Sequence, residues 1–298
     1  MEHPVEITTL GKRTFMGDEH GQAPGPDRET YSLSAPDVQR EYTGSRRAKD
    51  WVGFLLPHLH PGMRLLDLGC GVGSITLDLA EIVAPGQVVG VDADASQLEV
   101  ARSAAARRGL TNVRFESANA YALPFLDDSF DAALAHTLLV HLSEPVRALR
   151  ELQRVVRPGG VVAVSDDDFG TVVLSPSNPL VEEAISLLVR VVQHNGGNPY
   201  YARHLRRCLL EAGFVRTEGH AVAADYYGTL EGTRRFAALV EPLLRHPTFA
   251  DLVVGQGWTD RAHLDAILAE IRAWAERPDA FYAVTYCAAL GWVGDDQP

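Results

Sequence analysis

The stretch that decides the fold is Arg64-Leu65-Leu66-Asp67-Leu68-Gly69-Cys70-Gly71-Val72-Gly73-Ser74. An apolar run of strand length leads into alternating glycines, and a helical pattern begins at Ser74. Glycine lets the backbone approach a ligand closely, and a helix N-terminus offers free N–H groups. The spacing departs from the Gly-x-Gly-x-x-Gly pattern of dinucleotide-binding folds, because Ser74 stands where that pattern needs glycine. Either a ligand-binding turn or a plain tight turn between strand and helix fits this stretch.

Strands and helices alternate on the carboxyl side of this turn. The strands read as continuous apolar runs, which is typical of strands buried on both faces of a parallel sheet. Alternation of strand and helix predicts a doubly wound α/β fold. The predicted strands after the first are residues 88–92, 113–116, 130–135 and 161–165, and the predicted helices between them are residues 74–83, 96–108 and 144–155, with Ser96 as the helix cap.

Two further parts of the chain flank this alternating core. The pattern of residues 37–59 predicts a helix. Together with the preceding polar residues, this helix is expected to form an N-terminal arm, residues 1–60, that covers the ligand-binding site. Residues 61–298 are assigned to the ligand-binding domain, with a helical cap at about residues 229–278 inserted before the last strand. In this carboxyl half the predicted helices are residues 180–194, 201–212, 230–244 and 260–277, and the predicted strands are residues 215–227 and 281–290.

Composition narrows the class of partner. The net charge of the 298-residue chain is -12, which argues against nucleic acid as the main partner because phosphate binding needs lysine and arginine. No apolar run reaches the roughly 20 residues of a membrane span, and no secretory signal is visible. Cys70, Cys208 and Cys287 are too far apart for a disulfide framework or a zinc site, so we expect a cytoplasmic protein without a resident metal. A homodimer is the default expectation, since symmetric dimers are common.

Polar residues gather where the predicted strands end. Gly69, Asp92, Asn119, His136 and Asp166 all lie at or just past the carboxyl ends of their strands. Ligands of doubly wound sheets bind in the crevice outside these ends. A carboxylate at the position of Asp92 is suited to accept hydrogen bonds from both hydroxyls of a ribose.

The motifs taken together resemble the core of class I S-adenosylmethionine (SAM)-dependent methyltransferases, closest to the UbiE-like small-molecule group. The resemblance rests on the glycine turn, Asp92, Ala118-Asn119-Ala120, Leu123-Pro124-Phe125, Asp128-Ser129-Phe130-Asp131 and the run from Leu149 to Gly160. It implies a Rossmann-like, mostly parallel sheet of seven strands, with one reversed strand near the C-terminus. Asn119 departs from the family, which usually has aspartate there, but the asparagine carbonyl can still accept a hydrogen bond.

The resemblance also implies which residues hold SAM. Asp67 is expected at the SAM amino group, and His136 is expected to line the methionine side of the pocket. Tyr31 and Arg46 resemble the aromatic and basic residues that the N-terminal segment of this group folds over SAM. The remaining residues implied in binding are Gly69, Gly71 and Gly73 beneath the methionine part, Asp92 and Ala93 at the ribose, and Asn119 and Ala120 at the adenine.

Methyl transfer from a sulfonium needs a general base only when the acceptor arrives protonated. The candidate catalytic residues are His141 and Asp166, with a structural histidine and a solvated acidic loop as the alternative interpretations. The candidate substrate residues are His194, Tyr200 and Tyr201, and packing of the two tyrosines without a substrate role is the alternative interpretation.

The sequence therefore predicts a SAM-dependent methyltransferase that modifies O, N or C of a small organic acceptor, such as a secondary metabolite, and releases S-adenosylhomocysteine (SAH). Two alternatives stay open at this point. One is a nicotinamide-dependent oxidoreductase, which the glycine spacing disfavours. The other is a protein that binds SAM without transferring its methyl group, since a fold does not guarantee an activity.

Overall fold

The centre of the protein is a seven-stranded sheet with the strand order β3-β2-β1-β4-β5-β7-β6. The structure is a computed structural model that describes residues 43–294, without the side chains of residues 222–225. The strands are β1 (Arg64–Leu68), β2 (Gln87–Asp92), β3 (Val113–Ser117), β4 (Phe130–His136), β5 (Val156–Ser175), β6 (Arg216–Tyr227) and β7 (Phe281–Trp292). Strands β1 to β5 pair in parallel, while β7 runs antiparallel to both β5 and β6. The predicted mostly parallel sheet with one reversed strand is confirmed.

Helices cover both faces of the sheet. They are α1 (Ala48–Trp51), α2 (Ser74–Val83), α3 (Ala95–Arg108), α4 (Pro145–Val155), α5 (Pro179–His194), α6 (Leu205–Ala212), α7 (Leu230–Arg245), α8 (Pro247–Gly255) and α9 (Arg261–Ala275). Helix α3 begins one residue earlier than predicted because Asp94 caps it and accepts a hydrogen bond from the Ser96 N–H. Among the described helices, none is long and apolar enough to cross a membrane.

The sheet separates two hydrophobic clusters. On one face Leu66, Leu68, Val162 and Val164 pack with the buried side of helix α4. That side consists of Ala148, Leu149, Leu152 and Val155, whose spacing places them along one stripe of the helix. On the other face, residues of β1, β4 and β5 pack against α1 and α2. The carboxyl ends of β1, β2 and β4 are thereby held at one edge of the sheet.

The predicted helix of residues 37–59 is not continuous in its described part. Within residues 43–59, the helical residues are 43–44, α1 and a single 3₁₀ turn at Leu56–His58. Gly53 and Pro57 interrupt the pattern, because glycine has a low helix propensity and proline lacks the N–H that a helix needs. Residues 37–42 of the predicted helix lie outside the described residues.

Strand β5 is longer than the predicted residues 161–165. Its last residues extend beyond the end of β4 and still pair with β7, from Val173 opposite Ala283 to Ser175 opposite Phe281. Three helices, α7, α8 and α9, lie between β6 and β7 where two were predicted, because Pro247 starts a separate helix α8. Helix α5 packs with these three helices and with residues of β6 and β7 in one hydrophobic cluster.

The side chain of Trp274 connects helix α9 to the end of β5. Its ring is 1% exposed, and its Nε1 donates a hydrogen bond to the Pro176 carbonyl at 3.0 Å. We predict that Trp274→Ala lowers the free energy of unfolding by about 3–5 kcal/mol, because it leaves a large cavity and an unpaired carbonyl. Chemical denaturation with Trp258→Ala as the control measures this. Trp258 is only partly buried, so its loss should cost less than about 1.5 kcal/mol. Equal losses for the two variants would contradict the assigned role of Trp274.

Candidate active site

The glycine turn between β1 and α2 forms the floor of the crevice. Gly69, Gly71 and Gly73 all have positive φ, at 77°, 52° and 77°. At Gly73 an added Cβ would lie 2.9 Å from the Ala101 Cβ and 3.0 Å from the Phe115 ring, so this glycine allows α3 and β3 to pack close to the turn. At Gly71 no atom of the described residues lies within 4 Å of an added Cβ. Gly71 therefore leaves its backbone accessible to a ligand, while Gly73 serves the packing.

Asp92, the last residue of β2, is bound to this turn. Its Oδ2 accepts a hydrogen bond from the Gly71 N–H at 2.9 Å, and its Oδ1 accepts one from the Asp94 N–H at 2.9 Å. Burial raises the pKa of Asp92, and the bonds from Asp94 and Gly71 act in the opposite direction. Each carboxylate oxygen has more than one acceptor site, so Asp92 can still accept hydrogen bonds from a ligand diol.

Asp67 lies inside the end of β1, directly beneath the turn. It is 3% exposed, and its Oδ2 accepts a hydrogen bond from the Thr76 hydroxyl at 2.6 Å. Burial raises the pKa of Asp67 to about 7, against the lowering effect of Thr76, and the charge of Asp92 adds to the rise. A ligand ammonium group placed here would stabilise the carboxylate and displace its proton.

Asn119 follows β3 and forms a local turn. Its Oδ1 accepts a hydrogen bond from the Tyr121 N–H at 2.9 Å, and its backbone bridges to Ala122. One lone pair of the side-chain carbonyl is therefore occupied, and a second is available for a ligand donor. Ala120, within the same turn, is half-buried, and Ala93 is exposed beside Asp92.

A buried polar group, which we call the Arg46 cluster, lies at the end of β4. It consists of Arg46, Trp51, His136, Thr137 and Tyr286. Arg46 Nη1 lies 3.1 Å from His136 Nε2 and donates to the Thr137 hydroxyl at 2.9 Å, while its Nη2 lies 3.4 Å from the Tyr286 hydroxyl. The guanidinium carbon is 4.3 Å from the centre of the Trp51 ring. The cluster links the N-terminal segment, β4 and β7.

His136 is held neutral within this cluster. Burial lowers the pKa of His136 well below its usual value, and the charge of Arg46 lowers it further. Because a guanidinium can only donate, Nε2 of His136 must accept the hydrogen bond, which places the proton on Nδ1. The structure thus brings together Arg46, which the sequence analysis placed in the segment folded over SAM, and His136, which it placed on the methionine side of the pocket. Trp51, Thr137 and Tyr286 were missed, because no local motif indicates that residues of the N-terminal segment, the end of β4 and β7 contact the same guanidinium.

The candidate catalytic residues are both buried. His141 is 4% exposed, and burial lowers its pKa to about 4. Asp166 is 0% exposed, and burial, followed by the charge of Asp167, raises the pKa of Asp166 well above its usual value. Neither group is open to the crevice in this structure, so neither has an evident path for exchanging a proton with an acceptor.

The acidic run 166–168 does not form one cluster, because side chains alternate along a strand. Asp167 lies opposite Tyr286 on one face of β5. Asp166 and Asp168 lie on the other face, where Arg203 binds Asp168 through two hydrogen bonds of 2.6 Å. Within residues 43–294, no group of three or more His, Cys, Asp or Glu side chains is arranged to hold a metal ion.

The candidate substrate residues occupy different environments. Tyr201 is 8% exposed and packs in the hydrophobic core, where burial raises the pKa of its hydroxyl. Tyr200 is exposed, with the Arg203 guanidinium 5.7 Å from its ring centre. His194 is exposed at the end of α5, and the centre of its ring lies 5.7 Å from the centre of the Trp258 ring. The structure therefore does not bring these three side chains together, and Tyr31 lies outside the described residues.

Comparison with known proteins identifies the family. Residues 59–202 match the family described as "Methyltransferase domain". The chain is 32% identical to an uncharacterized methyltransferase of Schizosaccharomyces pombe, over 62% of this chain and 68% of that protein. It is 34% identical to the demethylmenaquinone methyltransferase of Lactococcus lactis, over 55% of this chain and 73% of that protein. The solved structure titled as the [4+2]-cyclase SpnF matches 86% of this chain and 93% of its own with a TM-score of 0.55 and 26% identity.

The chain belongs to the class I SAM-dependent methyltransferases and, within them, to the UbiE-like group. It is therefore an enzyme that uses SAM as cofactor. The site fits SAM on its own geometry: the backbone at Gly71 is accessible, Asp92 retains acceptor sites, and Asp67 is a buried carboxyl suited to a cationic group. The nicotinamide-dependent alternative has no support from these relatives.

The raised pKa of Asp67 makes cofactor affinity depend on pH. We predict that SAM binds more tightly as the pH rises from about 6 to about 8, because Asp67 loses its proton over this range and its anion attracts the SAM ammonium group. Isothermal titration across this range measures the effect. In Asp67→Asn the affinity should be lower and nearly independent of pH. Equal pH dependence in both proteins would show that another group is responsible.

The same group affects stability with the opposite sign. Because the pKa of Asp67 is higher in the folded state, its contribution to the free energy of unfolding is greatest below its unfolded value and is lost as the pH rises towards about 7. Relative to Asp67→Asn, the wild-type protein without SAM should therefore become less stable between about pH 4 and about pH 7. Denaturation at several pH values provides this comparison.

Proposed function

We propose that the enzyme transfers the SAM methyl group to O, N or C of a small organic acceptor whose nucleophile ionises without a general base from the protein. The observation that supports this proposal is the burial of all the candidate bases. Burial lowers the pKa values of His136 and His141, and Asp166 is enclosed in the core. A base with so low a pKa is poorly matched to deprotonating an alcohol near neutral pH.

In this proposal the protein positions two reactants, and SAM supplies the activated methyl group. Asp67 binds the amino group, the glycine turn supports the methionine part, and Arg46 with His136 closes the methionine side. Asp92 and Ala93 hold the ribose, and Asn119 and Ala120 border the adenine. The hydrogen bonds of Asp92 to the turn and of Arg46 to Thr137 support these assignments, since they fix both ends of the crevice before SAM arrives.

The acceptors that suit such a site are phenols, enols and electron-rich carbon atoms. Their nucleophiles form or exist near neutral pH without a strong base, and the rings of Trp51 and Tyr286 offer an apolar wall beside the Arg46 charge. Charge is dispersed when an anion meets a sulfonium, so this dry wall favours the transfer. The name of one relative specifies demethylmenaquinone, and we extend the proposal to small organic metabolites, including secondary metabolites.

The remaining expectations concern the setting of the reaction. We propose that the enzyme acts in the cytoplasm, does not act on nucleic acids, and forms a homodimer. The net charge of -12 supports the second point, since it disfavours binding to phosphate backbones.

A panel of acceptors tests the proposed function. Purified enzyme is incubated with SAM and with phenols, enols, amines and aliphatic alcohols of similar size, and SAH and the methylated product are measured by mass spectrometry. We expect SAH formation with phenol- or enol-type acceptors at a rate at least about tenfold above that with alcohols. Asp92→Ala serves as the control and should form little SAH from any acceptor.

A second outcome has its own interpretation, because one similar structure is titled a [4+2]-cyclase rather than a methyltransferase. SAM binding with no SAH from any acceptor class would favour a function that uses bound SAM without methyl transfer. A preference for aliphatic alcohols would contradict the proposal that the protein supplies no general base.

A further inference from the structure

Strand β5 contains a bulge at the edge of the sheet where the crevice opens. Between its paired residues Asp168 and Val173, β5 has four residues, 169–172, where β7 has only Val284. The bulge begins past the last pair of β5 with β4, which involves His136, so it extends beyond the carboxyl end of β4. A bulge bends its strand and redirects the side chains that the strand carries, and bulges are common beside active sites.

An ion pair, which we call the bulge clamp, holds the start of this bulge. Arg203, in the 3₁₀ turn before α6, binds the buried carboxylate of Asp168 through Nε and Nη2, both at 2.6 Å. The Asp168 Oδ1 also accepts a hydrogen bond from the Gly170 N–H at 2.9 Å. At Gly170 an added Cβ would overlap the guanidinium, so a side chain there would displace Arg203. Two parallel hydrogen bonds between a guanidinium and a carboxylate fix the relative orientation of the two groups.

The backbone of the bulge is bonded on both sides as well. The Phe169 N–H donates to the Pro199 carbonyl at 3.1 Å, which connects the bulge to the loop after α5. The Thr171 hydroxyl donates to the Asp168 carbonyl at 2.8 Å and accepts a hydrogen bond from the Thr285 N–H at 2.9 Å. The position of Phe169 is therefore set by the clamp, the loop and β7 rather than by regular strand pairing.

The Phe169 side chain points away from the clamp. It is partly buried against the hydrophobic cluster that α5, α7, α8 and α9 form with β6 and β7. Trp51 and Tyr286 of the Arg46 cluster pack in the same hydrophobic cluster. Asp167, which pairs with Tyr286, precedes Phe169 by two residues, and two residues of chain span at most about 7 Å. Phe169 therefore adds one more ring to the apolar wall of Trp51 and Tyr286.

We propose that Phe169 is a specificity-determining residue for the acceptor, and that Arg203 is a positioning residue that holds it in place through Asp168. This rests on the proposed function, in which the acceptor lies against Trp51 and Tyr286. A rigid aromatic side chain beside that wall limits the size of the acceptor that fits. Arg203 does not contact the acceptor and acts only through the bulge.

Hydrogen exchange tests the clamp without any acceptor. In Arg203→Gln we expect the amides of Phe169 and Gly170 to exchange at least about tenfold faster than in the wild-type protein, with the protection of residues 64–68 retained. The matched control is Arg234→Gln, which removes a two-bond arginine–glutamate pair from the surface of α7 and should leave both amides unchanged. Unchanged exchange in Arg203→Gln, or equal acceleration in both variants, would overturn the role of Arg203.

Steady-state kinetics separates positioning from general stability. With the acceptor of the panel that gives the most SAH, Arg203→Gln should raise the KM of the acceptor about three- to tenfold and change the SAM affinity by less than about twofold. Arg203→Lys keeps the charge without the two-bond geometry, so its KM should fall between the two. A loss of SAM affinity as large as the rise in KM would contradict a role confined to the acceptor.

The variant Phe169→Ala tests specificity directly. The probes are a one-ring acceptor selected by the panel and its counterpart with two fused rings, such as phenol and 2-naphthol. We expect the ratio of kcat/KM for the two-ring acceptor to that for the one-ring acceptor to rise at least about tenfold. Phe281→Ala, which removes an exposed ring at the start of β7, is the control and should leave the ratio unchanged.

The outcomes distinguish this proposal from the proposed function. SAH formation by the wild-type enzyme with an unchanged ratio in Phe169→Ala would overturn the role of Phe169 alone. Absence of SAH with every acceptor of the panel would contradict the proposed function and, with it, the role of Phe169 in specificity. A rise of the ratio in Phe169→Ala but not in Phe281→Ala supports both.

Discussion

The hydrogen bond from the Gly71 N–H to the Asp92 carboxylate is the contact on which the rest of the site depends. It joins the turn after β1 to the end of β2 and so fixes the distance between the groups proposed to bind the methionine part and the ribose of SAM. The parallel pairing of β1 with β2 brings these two strand ends to one edge of the sheet. Packing of Gly73 against Ala101 and Phe115 then sets the angle at which α2 leaves the turn.

The charges of the crevice are arranged for binding rather than for proton transfer. The buried carboxyl group of Asp67 lies under the glycine turn, and the buried guanidinium of Arg46 lies at the end of β4. His136, which contacts Arg46, is neutral, and its Nε2 accepts a hydrogen bond from the guanidinium. A zwitterionic amino acid group, such as the methionine part of SAM, has an ammonium and a carboxylate that are complementary to these two charges. The reactivity then comes from the cofactor, and the chain contributes orientation and exclusion of water.

The sequence was informative where structure is local. The glycine turn, strands β1 to β4 and the seven-stranded topology followed from apolar runs, turn residues and the resemblance. The length of β5 could not be predicted in this way. Its last residues form a strand only because they pair with β7, and Asp166-Asp167-Asp168 reads locally as a loop. Helix α8 and the packing of α5 with α7, α8 and α9 were missed for the same reason, since contacts between distant segments decide them. Tyr286 and Thr137 became visible as site residues only when folding placed β7 and the end of β4 on either side of β5, within reach of Arg46.

The most direct test of this account is the affinity of SAM for the wild-type protein, for Asp92→Ala and for Asp92→Asn, measured by isothermal titration. Asp92 joins the two strand ends and is assigned to the ribose, so Asp92→Ala should bind SAM at least about 30-fold more weakly, which corresponds to about 2 kcal/mol. Asp92→Asn keeps the shape and one acceptor oxygen, and it should fall between the two. Equal affinities for all three proteins, with their folds intact, would contradict the assignment of the glycine turn and Asp92 as the SAM site.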